Sequence, residues 1–307
     1  MYTLIQDQRI FMNSYVEFSA WTEVYRSKVR AIFDQGFQQF HFVIEKFTRF
    51  ESDSELSQLN RSEGKKKIVS RELFNLVQYG LNLAEKTEGY FDPTIIDFLE
   101  AYGYGARYQF EKLKRKEYVL QEVQNIARLR STYKDIALNK SDLSIKLAPK
   151  QRIDLGGLGK GYAIDLAYEK LKGLGNFVIN AGGDIRVMGN DRDGTPWFVG
   201  LNVPELDSLG YVQLENKALC CSGAWARKVK FFHHLLNPKT GKPQDDVHAV
   251  FVISDDAMSA DSWATALFAM GKKAPEYIEK YELCALLVYK NEKVEKFRFP
   301  KIVKEDV

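Results

Sequence analysis

Cysteine is scarce in this chain of 307 residues: only Cys220, Cys221 and Cys284 are present. Neighbouring cysteines rarely bridge each other, and an odd total leaves one over. A disulfide framework is therefore excluded as the organising principle, and a reducing compartment is favoured. Histidine occurs only 4 times, with no His-x-x-x-His or Cys/His spacing of the kind that holds zinc. Long apolar runs are missing too. No stretch reaches the roughly 18 apolar residues that suggest a membrane span. Nor is there an excess of one charge: 44 basic against 41 acidic residues leave a formal +3, which excludes the broad basic footprint of a nucleic-acid binder. Two local basic runs, Lys65-Lys66-Lys67 and Lys112-Leu113-Lys114-Arg115-Lys116, lack interleaved aromatics and read as solvated surface. Residues 1–11 show no basic segment followed by an apolar one. The expectation is a cytoplasmic protein, or a periplasmic or membrane-anchored one whose signal has been removed.

What is present describes a globular protein with a substantial core, 45% hydrophobic and 28% charged. Aromatics reach 13%, a share that serves wide flat sites but first of all a core. Loose alternation over residues 10–20 predicts an opening strand, and helical spacing of apolar residues predicts a helix over 21–47. A polar loop is expected over 51–67. Ser70 then reads as an N-cap, with Val69 and Phe74 placed for a hydrophobic staple, and this second helix runs out near residues 87–89. Short strands are expected at 118–120, 136–138 and 143–147. A compact unit follows: a strand ending at residues 152–155, a glycine-rich turn over 156–161, a helix over 162–171, and strands at 177–180 and 185–188. The last third carries strands at 197–201, 211–214, 229–232 and 250–253, a helix over 259–270, and strands at 285–289 and 294–299. Strands and helices mix without strict βαβ alternation, so the fold class is α+β, with mixed, largely antiparallel sheets packed against helices. No repeat or linker divides the chain, which reads as one domain over 1–307 or two intertwined lobes.

Four segments offer chemistry. In Asp154-Leu155-Gly156-Gly157-Leu158-Gly159-Lys160-Gly161-Tyr162, a glycine-rich turn into a helix suits phosphate, because backbone N–H groups collect at the positive end of the helix dipole. It is neither of the common phosphate motifs. A dinucleotide fingerprint from Gly157 needs glycine at Tyr162, and a P-loop needs Ser or Thr at Gly161. A tight strand-to-helix connection with a solvated lysine is the alternative. In Ser259-Ala260-Asp261-Ser262-Trp263-Ala264-Thr265, Asp261 and Thr265 share a helix face as hard oxygen ligands of the kind Mg²⁺ accepts. Equally, an aspartate in a first helical turn answers the dipole alone. His233-His234, on the strand entering the turn Pro238-Lys239-Thr240-Gly241, offers a general base or a purely structural pair. Gly89-Tyr90-Phe91-Asp92-Pro93-Thr94 reads as turn chemistry or as an aromatic face beside polar groups.

Taken together and in this order, these segments resemble the FAD:protein FMN transferases, the ApbE family. The resemblance runs from about residue 11 to 271 through ordered blocks: Phe11-Met12-Asn13-Ser14, residues 54–60, 89–94, 154–165 with 180–183, Ser222-Gly223, 234–243 and 260–271. The family pattern usually has Met-Gly-Thr where Met12-Asn13-Ser14 stands, and Asp where Asn237 stands. The resemblance implies an enzyme that cleaves FAD and joins FMN through a phosphoester to a Ser or Thr of a target redox protein. It implies Mg²⁺ held by Asp261, Thr265 and the Gly157 carbonyl, with Asp154 and Lys160 lining the flavin site. It places Met12, Phe50, Phe91, Asp92, Pro93, Thr94 and Leu236 against FAD and His234 as the base, with Lys160 stabilising developing charge. Two other readings use the same residues: a Mg²⁺-dependent FAD pyrophosphatase, with water in place of the acceptor, and a non-catalytic FAD-binding protein.

Overall fold

The computed structural model describes residues 2–105, 116–204, 206, 208–229 and 232–304. The chain opens with a hairpin, β1 (Thr3–Phe11) and β2 (Ser14–Thr22), reversed at Met12 and Asn13 with φ of 51 and 60°. Positive φ at both central residues matches the right-handed strand twist. Neither is glycine, so the single strand expected over 10–20 is in fact two. Helix α1 (Arg26–Phe47) starts later than the periodicity suggests, because Trp21 and Thr22 belong to β2. It buries Val29, Phe33, Phe37, Phe40 and Val43 at three- and four-residue spacing.

The polar stretch 51–67 contains a short helix, α2 (Glu55–Asn60), capped by the Ser54 side chain on Ser57 N. After β3 (Lys67–Ile68), α3 (Arg71–Lys86) starts at Ser70 as expected. Its side chain accepts from Leu73 N, and Val69 and Phe74 are both buried. Then come α4 (Ile96–Ala101) and α5 (Lys116–Leu129). Helix α5 replaces the strand expected at 118–120: Val119 and Val123, one turn apart, pack with Phe98, Tyr102, Phe232 and Leu236 in a satellite core. The surface assignment of the lysine-rich run falls on residues 112–115, outside the described residues.

Strands β4 (Ala137–Asn139) and β5 (Ser144–Lys146) join β3 in a small antiparallel sheet. Helix α6 (Gly156–Leu171) begins inside the glycine run, which is therefore a helical turn and not a loop. The cause is tertiary: a Cβ on Gly161 would lie 2.6 Å from Met258 Cα and closer still to Ala257 O. Glycine here lets two helices touch backbone to backbone.

Strands β6 (Asn176–Ala181), β7 (Asp184–Met188), β8 (Trp197–Gly200), β9 (Tyr211–Leu214) and β10 (Ala218–Gly223) follow. The strand expected at 229–232 falls partly on residues 230 and 231, outside the described residues. On either side lie β11 (Lys228–Val229) and β12 (Phe232–His233), which pair with each other. The chain closes with β13 (Val247–Ser254), α7 (Ala257–Met270), α8 (Ala274–Lys280), β14 (Cys284–Tyr289) and β15 (Val294–Phe297). One antiparallel sheet in the order β1-β2-β6-β7-β10-β13-β14-β15 organises the molecule. Side-chain alternation gives it two buried faces. Phe177, Ile179, Cys220, Val250 and Val252 face the core shared with α1, α6 and α7. Val187, Leu219, Phe251 and Leu286 pack with Trp197, Val199 and Val212 of β8–β9.

Candidate active site

The helix face of the sheet brings the start of α6 against α7 and the first residue of β7. Asp261, one turn into α7, is buried, and its Oδ2 accepts from Gly161 N at 3.1 Å. One residue earlier, the Lys160 ammonium pairs with the Asp184 carboxylate. Consecutive residues of α6 are thus tied to two different acids. Burial, then the nearby Asp184 charge, pushes the Asp261 carboxyl well above the usual carboxylate range, partly offset by Lys160 and the Gly161 N–H. Burial alone would lower the Lys160 ammonium, but Asp184 and Asp261 outweigh it and hold the lysine charged. Thr265 lies one turn beyond Asp261, with its Oγ1 3.4 Å from Ser222 Oγ. Gly157 closes the other side: a Cβ there would lie 3.1 Å from the Phe91 ring and 3.4 Å from the Thr265 methyl. Gly157, Lys160, Asp261 and Thr265, chosen from sequence, therefore converge.

A second group assembles around Asp154, just before α6. Its Oδ1 accepts from Gly156 N at 2.7 Å, satisfying one free donor of the helix start. Its Oδ2 takes Arg49 Nε at 2.6 Å, and Arg49 Nη2 donates to Tyr104 O at 2.6 Å. The Arg49 guanidinium lies over the exposed Phe50 ring, 4.4 Å from its centre. The Tyr104 ring meets His234 edge to face at 6.2 Å. A path of contacts thus runs from Asp154 through Arg49 and Tyr104 to His234. Behind Asp154, Asn60 bonds both the N–H and the carbonyl of Ile153, and Asp154 N donates to Pro93 O.

Residues 91–94 are held from behind. Arg130 reaches Asp92 Oδ2 at 2.8 Å, Thr94 Oγ1 at 2.9 Å, and the carbonyls of Thr94 and Pro238 at 3.1 Å each. Thr94 Oγ1 also donates to Asp92 Oδ1. The Asp92 and Thr94 side chains therefore serve an internal clamp joining this segment to the turn after the histidines. Leu236 is buried beside it, bridged to Pro243. Met12 lies in the β1–β2 turn, partly buried against the core.

A family model described as the ApbE family matches residues 12–287, which is most of the chain. The chain belongs to the ApbE family. A relative from Chlamydia trachomatis named FAD:protein FMN transferase is 30% identical over 268 residues, covering 82% of this chain and 80% of its own length. One of the same name from Haemophilus influenzae is 29% identical over 261 residues, covering 80% and 75%. The crystal structure of the ApbE protein from Thermotoga maritima superposes with a TM-score of 0.85 at 26% identity, covering 96% of this chain and 97% of that one.

The oxygen set of this ApbE-family chain suits a hard divalent ion. Asp261, Thr265 and the neighbouring Ser222 offer oxygen only, and burial makes the Asp261 charge costly without a cation. Among the described residues no group of three or more acids, histidines or cysteines is placed to hold a metal ion. His233, unlike His234, is buried edge-on against Phe268 of α7, and burial lowers its pKa. Sequence reasoning gave no role to Asp184, Arg49, Arg130 or Ser222. Asp184 follows Gly182-Gly183 directly, and Arg49 precedes Phe50, so both had a neighbouring signal. Arg130 meets Asp92 from 38 residues away and had none.

Proposed function

We propose that this protein cleaves FAD and attaches the FMN half, through a phosphoester bond, to a Ser or Thr hydroxyl of a target redox protein. One observation carries the reading: in an ApbE-family chain, Asp261, which shares a helix face with Thr265, accepts from Gly161 N next to the charged Lys160 of α6. In this reading Asp261, Thr265 and the Gly157 carbonyl hold Mg²⁺, which when bound neutralises pyrophosphate charge. Lys160 supplies a fixed positive charge for the phosphoryl oxygens. Asp154, Phe50, Met12, Leu236 and the segment Phe91-Asp92-Pro93-Thr94 form the wall against FAD, and the Arg130 clamp holds that segment in place. The acceptor hydroxyl attacks the phosphorus that stays with FMN. A phosphoester bond forms, the pyrophosphate bond breaks, and AMP leaves. His234 accepts the hydroxyl proton, and its place beside Tyr104, on the path of contacts from Asp154, supports that role.

The test is to incubate the protein with FAD, Mg²⁺ and a candidate acceptor, then follow flavin fluorescence in a denaturing gel together with AMP release. A fluorescent acceptor band with AMP is the expected result. AMP without a band, even as acceptors are varied, would make the enzyme a pyrophosphatase. Neither product, with FAD still bound, would make it a binding protein.

A further inference from the structure

Asp184 carries no role in the reading above, yet its carboxylate pairs with the Lys160 ammonium. It opens β7 directly after Gly182 and Gly183, whose φ values of 64 and 96° turn the chain out of β6. The ladder between β7 and β10 ends at Ile185 and Leu219. Just past that point, Asp184 Oδ1 accepts from Cys221 N at 2.9 Å, so a side chain stands in for the next backbone acceptor. The other oxygen, Oδ2, takes the Lys160 ammonium. The Asp184 side chain is 1% exposed and that of Lys160 27%. The carboxylate is thus a buried, fixed point, and the partly exposed lysine is anchored to it by its ammonium. A lysine pinned in this way has lost its rotamer freedom before any substrate arrives.

We propose that Asp184 is a positioning residue: it holds the Lys160 ammonium where the FAD pyrophosphate is bound, and it acts on turnover only through Lys160. The inference rests on the flavin-transferase reading for its reaction, whereas the Asp184–Lys160 dependence is a property of FAD binding as well. The competing role is mechanical, a brace between β7 and β10. Asp184→Asn separates the two, because an amide oxygen can still accept from Cys221 N while the charge that holds the lysine is gone.

The experiment is a double-mutant cycle with Asp184→Asn, Lys160→Gln and the double variant. It reads AMP release with Mg²⁺, which transfer and hydrolysis share, and FAD affinity without metal. Asp184→Asn is expected to lower kcat by about 10–10²-fold, the scale of a misplaced group, and to weaken FAD binding when no metal is present to share the pyrophosphate, with the KM for FAD measured with Mg²⁺ nearly unchanged. In the Lys160→Gln background the same change is expected to cost less than about threefold, and the double variant is expected to bind metal-free FAD as Lys160→Gln does. Wild-type turnover in Asp184→Asn, or the full loss repeated in the Lys160→Gln background, would overturn the proposal. If Asp184→Asn does not fold, the double variant, where two neutral amides face each other, is compared with Lys160→Gln. Weaker FAD binding in the double variant would then overturn the proposal, and equal binding supports it. If the wild type releases no AMP, the transferase reading fails, and the metal-free FAD cycle still decides whether Asp184 acts through Lys160.

Discussion

Replacing Gly161 with alanine sets two known effects against each other. Alanine is the better helix former by about 1 kcal/mol, so propensity alone predicts stabilisation of α6. Geometry opposes it. The new Cβ would lie 2.6 Å from Met258 Cα and closer to Ala257 O, well inside the roughly 3.5 Å of an unstrained contact. Both neighbours are backbone atoms in the first turn of α7 and cannot rotate aside, so the helices must part by roughly 1 Å. Overpacking of this kind costs about 1–3 kcal/mol, and rigid neighbours place it at the upper end. Net of propensity, the expected loss is about 2 kcal/mol, or about 3 °C in Tm for a chain of 307 residues. Turnover should suffer more than stability, because the same shift stretches the 3.1 Å bond from Gly161 N to Asp261. Gly173→Ala is the control: no atom lies within 4 Å of its Cβ and its φ is not in the left-handed region, so it should gain up to about 1 kcal/mol. Thermal unfolding of both variants by circular dichroism tests the reasoning. A Gly161→Ala protein as stable as wild type would refute the close-approach argument.

Three further outcomes are expected. Arg130→Met leaves the Asp92 carboxylate buried without its cation and should cost about 3–5 kcal/mol in urea unfolding; a loss under about 1 kcal/mol would mean the clamp is dispensable. His234→Ala should keep FAD affinity and lose turnover by about 10²–10⁴-fold, whereas His233→Ala should mainly lower stability, since its ring is buried against Phe268; equal effects on turnover would remove His234 as the base. Burial lowers the His233 pKa below its ordinary 6.5, so in acid the unfolded chain binds a proton that the folded one refuses. That contribution to stability is present above pH 6.5 and fades as the pH falls through the lowered value. Tm measured from pH 7.5 to 5 should therefore fall less steeply in His233→Gln than in wild type, and parallel curves would contradict this.

Local signals were readable where chemistry and spacing agreed. Ser70 caps α3 as its position ahead of an apolar stripe implies, and Asp261 and Thr265 do share a face of α7. Where tertiary contact overrides local preference, the sequence misleads. The glycines at 156–161 look like a loop because glycine disfavours helix, but the approach of α7 is what selects Gly161. In α5 the adjacent Tyr118, Val119 and Leu120 suggest a strand, and the four-residue step from Val119 to Val123 carries the packing instead. The partners Arg49–Asp154 and Arg130–Asp92 are 105 and 38 residues apart. Such pairs leave no mark in any local window.

What Asp261 binds decides the proposed chemistry. It is the one acidic side chain among the proposed metal ligands, so Mg²⁺ should bind weakly until FAD phosphates complete the shell. Metal and FAD must then raise each other's affinity by the same factor. FAD is titrated into wild type and Asp261→Asn, each with and without Mg²⁺. The prediction is that Mg²⁺ tightens FAD binding in wild type and leaves it unchanged in Asp261→Asn, with both proteins equally folded. Equal tightening by Mg²⁺ in the two proteins would contradict the assignment of the metal to Asp261.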